Sequence, residues 1–198
     1  MKDNEVRIVG GQWRSRRIRF TPRSELRPTP DRVRETLFNW LGQDLTGLTC
    51  LDLFAGSGAL GFEAASRGAA QVVMVERDRT AVASLDTNLK LLGARQVELI
   101  RGDALEFLRG DRRQYDVIFL DPPFSAAYGA GLLELVGPRM APEAWLYHEA
   151  GSRTEWPTGW EVRKRGRAGQ VFFQLIKRTQ HGAHGGLPGD VRPDNARP

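Results

Sequence analysis

The sequence has one cysteine, three histidines and no long hydrophobic run. A lone thiol, Cys50, excludes an internal disulfide framework. Its place at the head of the apolar run CLDLF reads as a buried core thiol rather than a nucleophile. The histidines, two of them in a Gly/Pro-rich tail, lack zinc-like spacing, so no metal is expected. The apolar runs fall far short of the roughly 20 residues a membrane helix needs. The start MKDNEVRIVGG is polar where a signal peptide would be apolar. A cytoplasmic protein with no membrane partner is therefore expected. Its 198 residues suit one domain with a small appendage.

Charge is unevenly placed. Residues 1–41 carry ten Lys/Arg and five Asp/Glu, a net of +5, which equals the formal charge of the whole chain. The remaining 157 residues therefore balance at zero. A basic arm on a neutral body is the footprint of a protein that meets a polyanion such as nucleic acid. A plainer reading, an arginine-rich solvated surface, stands beside it.

Periodicity divides the chain. In VRIVGGQWRSRRIRF, strand-like pieces at Val6–Val9 and Arg17–Phe20 flank a basic, Gly-containing connection and predict a hairpin. LRPTPDRVRETLFNWLG predicts a helix that Thr29 caps, Pro30 opens and Gly42 ends, with Val33, Leu37, Trp40 and Leu41 on its apolar face. From Thr49 the runs CLDLF, VVMVE, VELI, VIFLD and WLYHE alternate with helical patterns around 59–67, 79–92, 103–109 and 129–137. That alternation signals βαβ units and a parallel sheet. WEVRKR and QVFFQLIKR, separated by GRAG, read as a closing antiparallel hairpin. The expected fold is α/β: seven strands, mostly parallel, flanked by helices, with an N-terminal hairpin and helix. The expected divisions are a basic arm at 1–42, the main domain at 43–178 and a disordered tail at 179–198.

Ligands of an open parallel sheet bind at the carboxyl ends of its strands. The first such end, LDLFAGSGALG, places Gly56, Gly58 and Gly61 as G-x-G-x-x-G between a strand and a helix. These glycines permit a tight turn and close approach to the backbone. The second strand ends at Glu76, twenty residues after Gly56, where a carboxylate can accept both hydroxyl protons of a ribose. Up to here a dinucleotide enzyme fits equally well. The third strand breaks the tie, because it ends in RGDAL, with Asp103 placed to accept from an adenine amino group. The fourth runs into Asp121, Pro122, Pro123 and Phe124. Two prolines stop a strand and fix the direction in which the flanking acid and ring project.

This pattern resembles the S-adenosylmethionine-dependent methyltransferases of the Rossmann-like class. With VRIVGGQWRSRRIRF, LRPTPDRVRETLFNWL, LDLFAGSGALGFEAASRGA, VERDR, GDAL and FLDPPF added, it resembles the bacterial 16S ribosomal RNA guanine-N2 methyltransferase family over about residues 6–178. The resemblance implies S-adenosyl-L-methionine as cofactor and, as partner, 16S rRNA in the small subunit or its assembly intermediate. Gly56, Gly58 and neighbouring residues Phe54 and Ser57 would line the methionine moiety. Glu76 would hold the ribose with Arg77 adjoining it, and Asp103 with Ala104 would meet adenine. Arg14, Arg16, Arg17, Arg27 and Arg34 would bind rRNA phosphates.

In such chemistry Asp121 and the Pro122 carbonyl accept the two N–H bonds of the target amine, Pro123 stiffens the loop, and Phe124 stacks on the base. Several residues keep a second reading. Asp52 is either a carboxylate bonding loop amides or a cofactor contact, and Arg77 fits a solvated helix start. Trp13 and Trp40 read as packing anchors. His148 reads as a structural histidine where the family has a valine-like residue. An adenine-N6 or protein-glutamine methyltransferase, a nicotinamide oxidoreductase and a non-enzymatic RNA-binding module are the alternatives. A monomer is expected, since no long exposed apolar stripe remains.

Overall fold

The computed structural model describes residues 4–22, 28–122 and 129–179. Strands β1 (Glu5–Arg7) and β2 (Arg17–Arg19) pair antiparallel, with Val6 opposite Ile18 and both buried. Helix α1 (Asp31–Trp40) follows and buries Val33, Arg34, Leu37 and Phe38. The expected face is there, since Trp40 and Leu41 pack partly buried on the same core, Trp40 stacking on Phe173 with ring centroids 5.3 Å apart, and Arg34 and Phe38 widen it. Thr29 does not cap the helix. Pro30 occupies that position without a side-chain bond, and the Thr29 hydroxyl bonds Glu149 instead.

The main sheet is built from β3 (Thr49–Asp52), β4 (Gln71–Glu76), β5 (Val97–Arg101), β6 (Tyr115–Leu120), β7 (Met140–Ala150), β8 (Trp160–Ala168) and β9 (Val171–Arg178). Its order is β5-β4-β3-β6-β7-β9-β8, parallel from β5 through β7, with β9 antiparallel to both β7 and β8. The chain steps outward from β3 to β4 and β5, then returns to pair β6 with β3. That reversal makes the β3/β6 boundary the crevice where ligands of such sheets bind.

One expected boundary moves. GRAG is not the turn between the last two strands; β8 continues through Ala168, and the turn is Gly169–Gln170, with Gly169 at φ +61°. Gly166 stays in the strand because the Phe173 ring lies over it: a Cβ there would sit 2.3 Å from the ring.

Strand alternation assigns the two faces. Cys50, Val72, Met74, Val117, Phe119 and Tyr147 meet α1, α2 (Ala59–Ser66), α3 (Arg79–Leu92) and the N-terminal hairpin. Leu51, Val73, Val75, Ile118, Leu120 and Leu146 meet α4 (Ala104–Gly110) and α5 (Gly129–Val136). The arm shares the first of these cores, since Val6, Ile8, Trp13 and Ile18 pack in one cluster with Leu37, Phe62 and Leu85. It is also bonded there. The Val9 amide donates to Glu63 Oε2 at 2.8 Å and the Trp13 amide to Ser66 Oγ at 2.8 Å, so both anchors stand on α2. Asn88 of α3 exchanges two hydrogen bonds with the Arg19 backbone. Among the described residues no helix is long and apolar enough to cross a membrane.

Candidate active site

The acids of the site come from one simple rule. Each lies two residues past an inward residue of its strand: Asp52 after Cys50, Glu76 after Met74, Asp121 after Phe119 and Glu149 after Tyr147. A period of two keeps each on the face of its predecessor. Four adjacent strands, β4, β3, β6 and β7, therefore carry a row of carboxylates at their carboxyl ends on one face, Asp52 bonded to α2 and Glu149 to Thr29 ahead of α1.

Glu76 organises the glycine loop. Its Oε2 accepts the Gly56 amide at 2.9 Å and its Oε1 the Asp78 amide at 2.8 Å. A carboxylate has about four lone-pair sites, so each oxygen keeps one for a further donor such as a ribose hydroxyl. The loop turns through left-handed glycines, Gly56 at φ +51° and Gly58 at φ +80°, with Gly58 heading α2. Gly61 serves packing. A Cβ on it would lie 2.4 Å from Met74 Cε, and its amide donates to Asp52 Oδ2 at 2.9 Å. Asp52, only 2% exposed, ties the end of β3 to the first turn of α2 by this bond. Burial pushes its carboxyl up to about 7, with the Gly61 bond opposing and the Glu76 charge adding.

The remaining cofactor candidates divide by exposure. Ser57 is buried and its Oγ accepts the Ala59 amide at 3.3 Å. Phe54 is partly buried, and Arg77 is exposed beyond the end of β4. Asp103 caps α4, its Oδ1 accepting the Leu105 and Glu106 amides at 2.9 and 3.2 Å, and Ala104 is the buried first residue of that helix. Both lie at the end of β5, on the same edge of the sheet as the glycine loop.

Asp121 and Pro122 follow β6 directly, beside the β3 loop, and both are partly buried. Burial, then the charges of Glu149 and Asp52, raise the Asp121 carboxyl well above the usual range. Pro123 and Phe124 lie outside the described residues, as does Arg27. Glu149 and Tyr147 were not singled out from the sequence. The signal was present in WLYHE, whose Tyr and Glu share the parity of the inward residues, but it needed the β6/β7 pairing to acquire meaning. Tyr147 Oη donates to Glu149 Oε2 at 2.9 Å, deep in the core. His148 points to the opposite side, edge-on to Trp156 at 5.2 Å, and burial holds it down to about 4. Among the described residues no group of three or more His, Cys, Asp and Glu is arranged to hold a metal ion.

The arginines separate. Arg14, Arg16 and Arg17 are exposed on the N-terminal hairpin; Arg16 donates to the Leu91 carbonyl at 2.9 Å and Arg17 pairs with Glu5 at 3.0 Å. Arg34 corrects the expectation of a phosphate contact, since it is 1% exposed. Its guanidinium donates to the Thr29 carbonyl at 2.7 Å, to Asp31 at 2.9 Å and to the Arg7 carbonyl, with Glu63 at 3.9 Å. Helix phase turned it inward, where it joins β1, α1 and α2. Trp13, 4% exposed, is the packing anchor expected.

The family model described as "Conserved hypothetical protein 95" matches residues 6–177. Ribosomal RNA small subunit methyltransferase D of Escherichia coli (strain K12) is 39% identical over 183 residues, 90% of this chain and 92% of that protein. The chain belongs to the ribosomal RNA small subunit methyltransferase D family. The Haemophilus influenzae member of this methyltransferase D family is 40% identical over 181 residues, covering 87% of this chain and 94% of its own. The solved structure of yhhF from Escherichia coli superposes with a TM-score of 0.78 at 40% identity, over 88% of this chain and 98% of that one. The family match, over residues 6–177, spans the arm and the seven-stranded sheet alike.

Proposed function

We propose that the protein transfers the methyl group of S-adenosyl-L-methionine to the exocyclic N2 amine of a guanine in 16S rRNA. The substrate is the small ribosomal subunit or its assembly intermediate, and the enzyme works as a monomer. The observation that carries this reading is the place of Asp121-Pro122, at the carboxyl end of β6 beside the left-handed glycine loop of β3. The residues suit the cofactor. Glu76 retains lone pairs for ribose hydroxyls while holding the loop, and Gly56 and Gly58 keep side chains away from the methionine path. Asp103 and Ala104, where β5 leads into α4, are the residues assigned to adenine in this reading.

When bound, the sulfonium supplies an already activated methyl group, so the protein's task is to position the attacking nitrogen and stabilise its charge. A guanine amine is a poor nucleophile because its lone pair is delocalised into the ring. The Asp121 carboxylate and the Pro122 carbonyl accept its two N–H bonds and leave the lone pair directed at the methyl. Phe124 stacks on the base, worth roughly 1–3 kcal/mol. Arg14, Arg16, Arg17 and Arg27 hold phosphates and orient the RNA.

The test is transfer from radiolabelled S-adenosylmethionine to small subunits from a strain lacking the endogenous enzyme, followed by nucleoside analysis. Label should appear in N2-methylguanosine and vanish with Asp121→Ala. A variant retaining more than about a tenth of wild-type turnover would contradict the role given to Asp121. Label in N6-methyladenosine or in protein glutamine would move the acceptor and keep the fold.

A further inference from the structure

The row of carboxylates extends one strand past the residue assigned to the amine. Phe119 and Tyr147 are register partners, and the ladder continues through Leu120 and His148. One step further sets Glu149 beside Asp121 on the same face, with strands roughly 4.8 Å apart. Glu149 is 4% exposed, a costly place for an acid unless it is bonded. Two hydroxyls bond it, Tyr147 Oη at 2.9 Å and that of Thr29. An apolar residue would fill this position at lower cost in stability, since buried charge is rarely stabilising for its own sake. The surroundings instead hold an acid in place against Asp121.

We propose that Glu149 is a positioning residue for methyl transfer, setting a second negative charge behind Asp121 so that both carboxylates stabilise the positive charge developing on the acceptor amine. This rests on the amine-methylation reading above. In the transfer the nitrogen lone pair forms the new N–C bond while the C–S bond breaks, its electron pair staying on sulfur. The nitrogen becomes cationic and loses one N–H proton to Asp121, which releases it to solvent. A preorganised charge aimed at that nitrogen acts where the positive charge is largest.

The groups facing the pair are Asp52 from β3, Tyr147 from β7 and Thr29 from the segment before α1. Burial raises both acids, and the Glu149 charge raises Asp121 further. Removing that charge while keeping the shape should therefore lower the pH at which Asp121 ionises.

Glu149→Gln tests this with two readouts. In the free enzyme, carbon-13 NMR titration of the Asp121 carboxyl should move to lower pH than in wild type. In turnover with small subunits, kcat on the high-pH plateau should fall roughly ten- to hundredfold. The KM for subunits and the affinity for S-adenosylmethionine should stay within about twofold, because neither depends on charge that forms only in the transition state. The acid limb of kcat should shift to lower pH with the titration. An unchanged plateau, or a lowered plateau with the limb at its wild-type position, would overturn the proposal. Glu149→Asp is the second variant. It keeps the charge and should hold the wild-type limb, and a limb displaced to low pH there would also overturn it. Absence of transfer by the wild-type enzyme would sink the functional reading alone, and the titration would still decide the pairing.

Discussion

Glu76 Oε2 lies 2.9 Å from the Gly56 amide, tying the end of β4 to the glycine loop that follows β3. The same carboxylate accepts the Asp78 amide ahead of α3. One acid therefore shapes two loops before any ligand arrives. A residue proposed to serve the cofactor also holds the loop on which the proposed site is built.

Glu76→Ala removes both functions. Two loop amides lose their acceptor, at about 1–3 kcal/mol each where water does not replace it. The proposed ribose acceptor is lost as well. S-adenosylmethionine affinity, measured by titration calorimetry, should fall about tenfold or more, equivalent to at least ~1.4 kcal/mol. Glu76→Gln, which keeps one carbonyl oxygen, should lose less. Equal affinity in wild type and Glu76→Ala would remove this residue from the site.

Gly58→Ala carries two steric costs with no helix-forming gain to offset them. The left-handed φ of +80° disfavours a Cβ by about 1–2 kcal/mol. The new atom would also lie 2.6 Å from the Phe62 ring and from Leu85 Cδ2, and overpacking of that kind costs roughly 1–3 kcal/mol. The gain of alanine over glycine, about 1 kcal/mol inside a helix, does not apply at this cap position. Urea unfolding should show a lower midpoint with an unchanged slope.

Arg34→Ala and the hairpin arginines should fail in different assays. Removing Arg34 leaves the Thr29 and Arg7 carbonyls without their donor and Glu63 with Arg67 alone as its ion partner, at about 1–3 kcal/mol for each buried acceptor left unsatisfied. Thermal unfolding should detect it. Arg14→Ala, Arg16→Ala and Arg17→Ala should leave the unfolding midpoint near wild type, since exposed pairs contribute little. They should weaken RNA binding, each lost phosphate contact reducing the salt dependence of log K by roughly 0.7–0.9. A wild-type salt slope in the triple variant would remove the hairpin from the RNA interface.

Asp52 predicts a signed pH dependence. Its folded carboxyl titrates at about 7, above the unfolded value, so the native state binds more protons between the two. Its contribution is fully present below the unfolded pKa and is lost as pH rises through about 7. The stability of wild type relative to Asp52→Asn should therefore decline across that window. His148, held down to about 4 by burial, acts oppositely: its contribution is present above about 6.5 and lost as pH falls toward 4. Denaturant midpoints of Asp52→Asn and His148→Gln against wild type, measured from pH 4 to 8, separate the two.

Local pattern determined much of this protein. Alternation of apolar runs with helical stretches announced the parallel sheet, because the two periods are set by backbone geometry within a few residues. G-x-G-x-x-G, Glu76, Asp103 and the Asp121-Pro122 strand end were legible for the same reason: each marks a strand terminus, and such sheets place ligands there. Tertiary structure decided what no local window contains. Arg34 and the exposed arginines look alike in sequence, and only the phase of α1 against β1 and α2 turns one inward. Thr29 reads as a helix cap until Glu149, 120 residues away, offers its hydroxyl a partner. Glu149 acquires its place beside Asp121 through the β6/β7 ladder, since register between strands is fixed by packing of whole faces rather than by either strand alone.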